Sequence, residues 1–214
     1  MSRSTGTSRH VRREYDSEAG RYDRRWERYT RESLALLRPL LDGRPAGEVL
    51  DLGCGTGALV PKLSGWGVPV RSYTGVDLSP EMLRVAARRR GVGFPVRLVA
   101  AEAEELPFRA ESFDTVATAS SLHFWTDPRA ALRGAARVLR PGGRILLVDW
   151  ARDALPVRVL DLALRAATRG RSHHRVYTVR EVRALLEDAG FGVRTAERER
   201  IGWPWTLLAV EAER

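Results

Sequence analysis

Val49-Leu50-Asp51-Leu52-Gly53-Cys54-Gly55-Thr56-Gly57 decides how this chain is read. An apolar run suited to a buried strand breaks into three glycines at alternate positions and then opens a helix. Glycine lets a backbone turn sharply and pass close to a ligand, where a Cβ would intrude. In an open α/β sheet a nucleotide-like ligand lies across the carboxyl end of such a strand and the N-terminus of the next helix. The spacing is D-x-G-x-G-x-G and not the G-x-G-x-x-G of a nicotinamide site, which excludes a dehydrogenase.

Outward from the loop, further pieces follow in order. Residues 70–76 read as a second strand, with Asp77 at its tip about twenty residues past the loop, where a carboxylate can accept from two ribose hydroxyls. Residues 94–100 form a third strand, running into Ala101-Glu102-Ala103-Glu104-Glu105-Leu106-Pro107-Phe108. A fourth strand, 113–119, ends in Ser120-Ser121-Leu122-His123. A helix over 127–139, the turn Arg140-Pro141-Gly142-Gly143 and an apolar strand over 144–148 complete the series.

This order of motifs resembles the class I S-adenosylmethionine-dependent methyltransferases, and within them the small-molecule, ubiquinone/menaquinone-type group (methyltransferase type 11). The likeness runs from Tyr15 to the last strand and is densest over 49–149; Tyr15-Asp16-Ser17-Glu18-Ala19-Gly20-Arg21-Tyr22-Asp23 looks like that group's opening segment. The resemblance implies a Rossmann-like α/β fold: a doubly wound seven-stranded sheet, mostly parallel, with an antiparallel C-terminal edge hairpin. It implies S-adenosyl-L-methionine as cofactor. Asp51, Gly53, Gly55 and Gly57 match the loop along the methionine part, with Asp51 facing the cofactor's ammonium. Asp77 matches the acid on the ribose hydroxyls, with Leu78 and Met82 flanking the adenine. Glu102 stands where the group's D-A-x-x-L-P-F pattern carries Asp; it would accept from the adenine amino group while the Ala103 N–H reaches a ring nitrogen. Ser120 matches the residue beside the methionine carboxylate or amine, and Tyr22 an aromatic that caps the cofactor.

Plainer roles stand beside these. Asp51 can serve as a helix cap, although its place before Gly53 argues against that, and Asp77 can cap the helix that follows it, although Ser79 with Pro80 already does. Met82 can be packing. Cys54, the only cysteine, reads as a small apolar filler, and Glu104 and Glu105 as solvated charges.

The 214 residues fit one domain, and 43% hydrophobic content suffices to cover both faces of a sheet. One cysteine excludes a disulfide framework and a cysteine-rich metal site, and no metal is expected. No apolar run approaches the roughly 18–20 residues that span a bilayer, and Met1–Arg13 shows no apolar signal core, so a cytoplasmic location is the default expectation. The formal charge of +9 is almost all arginine, Lys62 being the single lysine. Residues 152–180 hold seven arginines against Asp153 and Asp161, and residues 1–31 nine against five acids. Solvated surface, an acidic substrate or a membrane surface all suit such stretches.

Residues 1–14 read as a flexible basic arm, and 15–214 as a single methyltransferase domain. Within it, 15–45 form a helical cap with apolar Leu34, Leu37 and Leu41 over the cleft. Residues 46–150 are the cofactor-binding core, 151–190 an acceptor-side cover, and 191–214 a hairpin of strands 191–198 and 206–212. In the cover, Val157, Leu160 and Leu164 recur at helical spacing beside Arg158, Asp161 and Arg165, which suits an anionic or amphipathic acceptor or peripheral contact with an anionic membrane. A helix over 178–189 carries a capping box, Thr178 with Glu181, and ends at Gly190.

Methyl transfer needs the acceptor positioned and water excluded more than it needs a base. Candidates near the tips of strands four and five are His123, Trp125, Asp149 and Trp150. His123 can deprotonate a phenol, enol or hydroxyl, or it can pack on the cleft wall. His173 and His174 fall in the basic connector. Trp203 and Trp205 either line the acceptor pocket or pack on the hairpin. The expected function is methyl transfer to a small-molecule or lipid-like acceptor. An RNA or protein methyltransferase is the alternative, and nucleic acid is disfavoured because no N-P-P-Y-type tetrapeptide follows strand four.

Overall fold

The computed structural model describes residues 6–89, 92–169 and 175–214. Among these, the strands form one seven-stranded sheet in the order β3-β2-β1-β4-β5-β7-β6. Its strands are β1 (Gly47–Leu52), β2 (Val70–Asp77), β3 (Val96–Ala100), β4 (Phe113–Ala119), β5 (Leu139–Trp150), β6 (Gly192–Arg200) and β7 (Thr206–Glu213). The first five run parallel, and β7 lies antiparallel between β5 and β6. Strand order reverses between β1 and β4, so a cleft opens at their carboxyl ends, the place such sheets bind ligands. Leu50, Leu52, Val116, Ile145 and Leu147 are fully buried, as strands covered on both faces require.

The helices are α1 (Gly6–Ala35), α2 (Leu37–Leu41), α3 (Leu59–Gly65), α4 (Pro80–Ala86), α5 (Pro128–Val138), α6 (Leu155–Thr168) and α7 (Val179–Asp188), with a 3-10 turn at Leu122–Phe124. Local sequence sets their starts. Ser79 accepts from the Met82 N–H with Pro80 in the first turn, and Asp127 accepts from the Ala130 N–H with Pro128 following. Thr178 and Glu181 close a capping box at α7.

Several boundaries differ from the sequence expectations. The stretch 6–14 is not a loose arm: α1 runs through it, and Ser8 and Val11 are buried against the cleft. A basic composition does not disfavour a helix whose inner face finds apolar cover. Strand β3 starts at Val96 and not at 94, because Pro95 has no N–H for the ladder and only its carbonyl pairs, with the Tyr73 N–H. Strand β5 runs on to Asp149 and Trp150, which pair with Leu208 and Leu207 of β7.

The cover helix α6 turns its expected stripe of Val157, Leu160 and Leu164 inward but buries Asp161 with it. Val157 and Asp161 are buried, whereas Leu155, Val159 and Leu162 face solvent. Two apolar stripes interleave in this helix, and spacing alone cannot choose which turns inward. His173 and His174 lie outside the described residues.

Candidate active site

The glycine loop leaves β1 with the Gly53 and Cys54 N–H groups both donating to the Val76 carbonyl, at 2.8 and 3.0 Å. Its glycines do different things. A Cβ on Gly55, at φ +53°, meets nothing within 4 Å and would project into the cleft. That is the cradle a close-lying ligand needs. A Cβ on Gly57 would instead meet the Ala86 Cβ at 3.0 Å, and one on Gly53 the Ser121 Cβ at 2.5 Å. Gly57 therefore seats the loop on α4 and lines no part of the cleft, while Gly53 both lines the cleft and packs on Ser121. Cys54 packs against Gly75, and burial pushes its thiol well up, which leaves it un-nucleophilic.

Asp77 accepts from the Gly55 N–H at Oδ2 and the Ser79 N–H at Oδ1, each at 2.8 Å. It thus ties the loop to the start of α4, and each oxygen keeps a lone pair for a hydroxyl donor. Burial holds its carboxyl above the usual range despite these bonds. Leu78, Met82, Glu102 and Ala103 line the same compartment. Glu102 Oε2 accepts from the Ser8 hydroxyl at 3.5 Å. Asp51 lies at the loop's other end, 4% exposed, accepting from the Tyr73 hydroxyl at 2.6 Å. Burial first pushes its carboxyl up to about 7, the Tyr73 bond opposes this, and Asp77 adds to it. A buried carboxyl so raised is relieved by a cation, which is what the ammonium of S-adenosylmethionine supplies. These residues fit that cofactor.

A third cavity of about 530 Å³ adjoins these two compartments. Its walls include Tyr15, Trp26, Phe124, Trp150 and Trp205, with Leu160 and Leu164 of α6 on one side. Tyr22 and Ser120 line all three spaces and mark where they meet. Ser120 sits at φ +58°, a conformation serine adopts only when its surroundings enforce it. Its N–H donates to the Val148 carbonyl, and its Oγ lies 2.7 Å from the Tyr29 hydroxyl, which accepts from the Trp150 indole N–H at 2.7 Å. Burial pushes the Tyr29 phenol far up, so it remains protonated, and either hydroxyl of the Tyr29–Ser120 pair can donate to the other.

His123 is 3% exposed, and its Nδ1 lies 2.6 Å from Asp149 Oδ1, which also accepts the Trp150 N–H. The imidazole stacks on Trp150 with centroids 4.7 Å apart. Asp149 Oδ2 is buried with no hydrogen-bond partner, a costly arrangement. Helix α1 is anchored across the cleft by Asp16, which accepts from the Ser79 hydroxyl, and by Asp23, which accepts from the Thr56 hydroxyl and Arg89.

Sequence reasoning missed several of these. Tyr15, Trp26 and Tyr29 share one helical face with the expected Tyr22, at spacings of seven, four and three residues along 15, 22, 26 and 29, a face that the Leu34–Leu41 pattern obscured. Glu104 is not a solvated charge: it accepts from the Thr126 N–H and hydroxyl and fastens the start of α5. Of the paired tryptophans, Trp205 lines the cavity and Trp203 is exposed. Trp125 is buried in the core and lines the compartment that holds Asp77 and Met82.

The sheet order, the glycine loop with Asp77 and the adjoining aromatic cavity define a Rossmann-like methyltransferase. Comparison with known proteins narrows the class. The Methyltransferase domain family matches residues 50–147. The ubiquinone/menaquinone biosynthesis C-methyltransferase UbiE of Pseudomonas putida is 32% identical over 195 residues, 81% of this chain and 73% of that one. UbiE of Hahella chejuensis is 35% identical over 162 residues, 69% of this chain and 62% of that one. Among solved structures, YcgJ of Bacillus subtilis aligns with TM-score 0.69 at 26% identity, over 86% of this chain and 98% of that one. The fold is shared with the Burkholderia thailandensis 1,6-didemethyltoxoflavin-N1-methyltransferase, solved with that acceptor and S-adenosylhomocysteine (TM-score 0.72, 24% identity, 100% of this chain and 91% of that one). The chain belongs to the class I S-adenosylmethionine-dependent methyltransferases. It spans between 50% and 73% of the length of the UbiE relatives it matches. Among the described residues no helix is long and apolar enough to cross a membrane.

Proposed function

We propose that this chain methylates a planar, hydroxylated small molecule with an apolar body, a quinol or phenol, seated in the aromatic cavity. The observation that carries the reading is the buried His123–Asp149 pair on the wall of a cavity that shares Tyr22 and Ser120 with the cofactor compartments. The UbiE relatives, named for C-methylation in ubiquinone and menaquinone biosynthesis, support a quinol-type acceptor.

When bound, S-adenosylmethionine supplies an activated methyl group on a sulfonium sulfur, so the protein adds positioning and acceptor activation. In this reading Asp51, Gly55, Asp77, Leu78, Met82, Glu102 and Ala103 hold the cofactor, and Tyr22 and Ser120 stand at the transfer point. The cavity's rings fix the plane of an aromatic acceptor and exclude water. His123, on the cavity wall and held by Asp149, would take the acceptor's hydroxyl proton and so enrich its oxygen and ring carbons. Helix α6 covers the outer side of the cavity through Leu160 and Leu164.

Incubation with methyl-labelled cofactor and a panel of quinols, phenols, phospholipids and tRNA tests this. Label in a quinol or phenol, lost on His123→Ala, supports it; label confined to tRNA or phospholipid overturns it.

A further inference from the structure

Five large apolar side chains are exposed among the described residues, and four of them lie on two segments. Leu155, Val159 and Leu162 on α6 and Trp203 on the β6–β7 connection are between 59% and 77% exposed. Both segments also wall the aromatic cavity, through Leu160 and Leu164 on one side and Pro204 and Trp205 on the other. Scattered exposed leucines need no explanation, but four such side chains on the two segments that wall one cavity do.

At 100° per residue, Leu155, Val159 and Leu162 form one stripe along α6, opposite the face that holds Val157, Asp161 and Leu164. Arg158, Arg165 and Arg169 form a second stripe about 70° round the helix from the first. The one acidic residue of α6, Asp161, is turned inward and buried. Every charge this helix presents to solvent is thus positive and lies beside its apolar stripe. A helix with apolar and cationic stripes side by side suits the headgroup boundary of an anionic bilayer. A hydrophobic groove for a protein partner lacks a reason to carry arginines of one sign only.

We propose that α6 and Trp203 seat this protein on an anionic lipid surface, with the two segments that wall the cavity against the bilayer. An apolar acceptor held in the membrane would then lie beside the segments that wall the cavity. The contact goes beyond methyl transfer and is tested without turnover.

The test is co-sedimentation of the full chain with phosphatidylglycerol/phosphatidylcholine vesicles and with phosphatidylcholine vesicles alone, across a salt series. Binding is expected to anionic vesicles at low salt and to weaken as salt rises. The triple variant Leu155→Ser, Val159→Ser, Leu162→Ser should bind about tenfold or more weakly, from lost apolar insertion. Arg158→Glu with Arg165→Glu should lose about fivefold per arginine or more. All five positions are exposed, so thermal melting should be unchanged. Bromolipid quenching of tryptophan emission should fall in Trp203→Phe. No sedimentation at low salt overturns the proposal, as does undiminished binding of the triple variant, which would assign the contact to another basic surface. A concentration-dependent dimer that the triple variant abolishes would also overturn it, because a second copy would then cover this face.

Discussion

The two halves of the cleft are built in opposite ways. On the cofactor side the glycine loop itself is held through backbone N–H groups: Asp77 receives those of Gly55 and Ser79, and the Val76 carbonyl those of Gly53 and Cys54. On the acceptor side the polar contacts join side chains far apart in sequence. Tyr29 meets Ser120 across 91 residues, Trp150 meets Tyr29 across 121, and His123 meets Asp149 across 26. A backbone-fixed loop tolerates little drift, whereas a wall of side chains from α1, β5 and the hairpin can change residue by residue while the sheet stays fixed. One scaffold can therefore keep its cofactor and vary its acceptor.

If that division is right, the largest effects separate the two sides. His123→Ala should lower kcat by about 10²- to 10⁴-fold, the range for a general base, with cofactor affinity essentially unchanged by calorimetry. Loss of cofactor binding in this variant would mean that the sides are not independent. Asp77→Ala should act the other way, weakening cofactor binding by about 1.5–3 kcal/mol as charged hydrogen bonds are lost. Because Asp77 also ties Gly55 to Ser79, some melting stability should go with it; tight binding of NAD or an unchanged cofactor Kd would remove Asp77 from the site.

The next effect is a pH dependence on the cofactor side alone. Asp51, raised to about 7 by burial, is largely protonated below that pH, and a proton competes there with the cofactor's ammonium. Affinity should therefore be flat above about pH 7 and fall by up to about tenfold per unit below it, and Asp51→Asn should flatten the profile. Linkage gives the companion sign. With its folded pKa above the unfolded value of about 3.9, Asp51 contributes stability below that value, and the cofactor-free protein loses this contribution as pH rises toward 7. Melting across pH 4–8 with and without cofactor checks both. The smallest effect is at Glu102. Exchanging its charge in Glu102→Gln should weaken the cofactor by about twofold to tenfold and leave the fold intact; an unchanged Kd would make Glu102 a surface carboxylate.

What could be read in advance follows the same division. Strand β4 was anticipated residue for residue at 113–119, as were the caps at Ser79 and Thr178, because each is written in adjacent residues. So was the place of Asp77 at a strand tip. The separate jobs of the glycines were not, since three identical residues hide that Gly55 faces open space while Gly57 faces Ala86. His123 could be named, but not its partner, because the Asp149 contact exists only once β4 and β5 pair. In α6 the expected Val157, Leu160 and Leu164 stripe does turn inward, but Asp161 turns in with it, which spacing alone did not indicate.

The account centres on the meeting of three compartments at Tyr22 and Ser120, and a crystal structure with bound S-adenosylhomocysteine tests it most directly. The account predicts ribose hydroxyls on Asp77, the amino group toward Asp51, and sulfur at the Tyr22–Ser120 junction facing the aromatic cavity. A nucleoside seated in the aromatic cavity, or sulfur turned away from that junction, would contradict it.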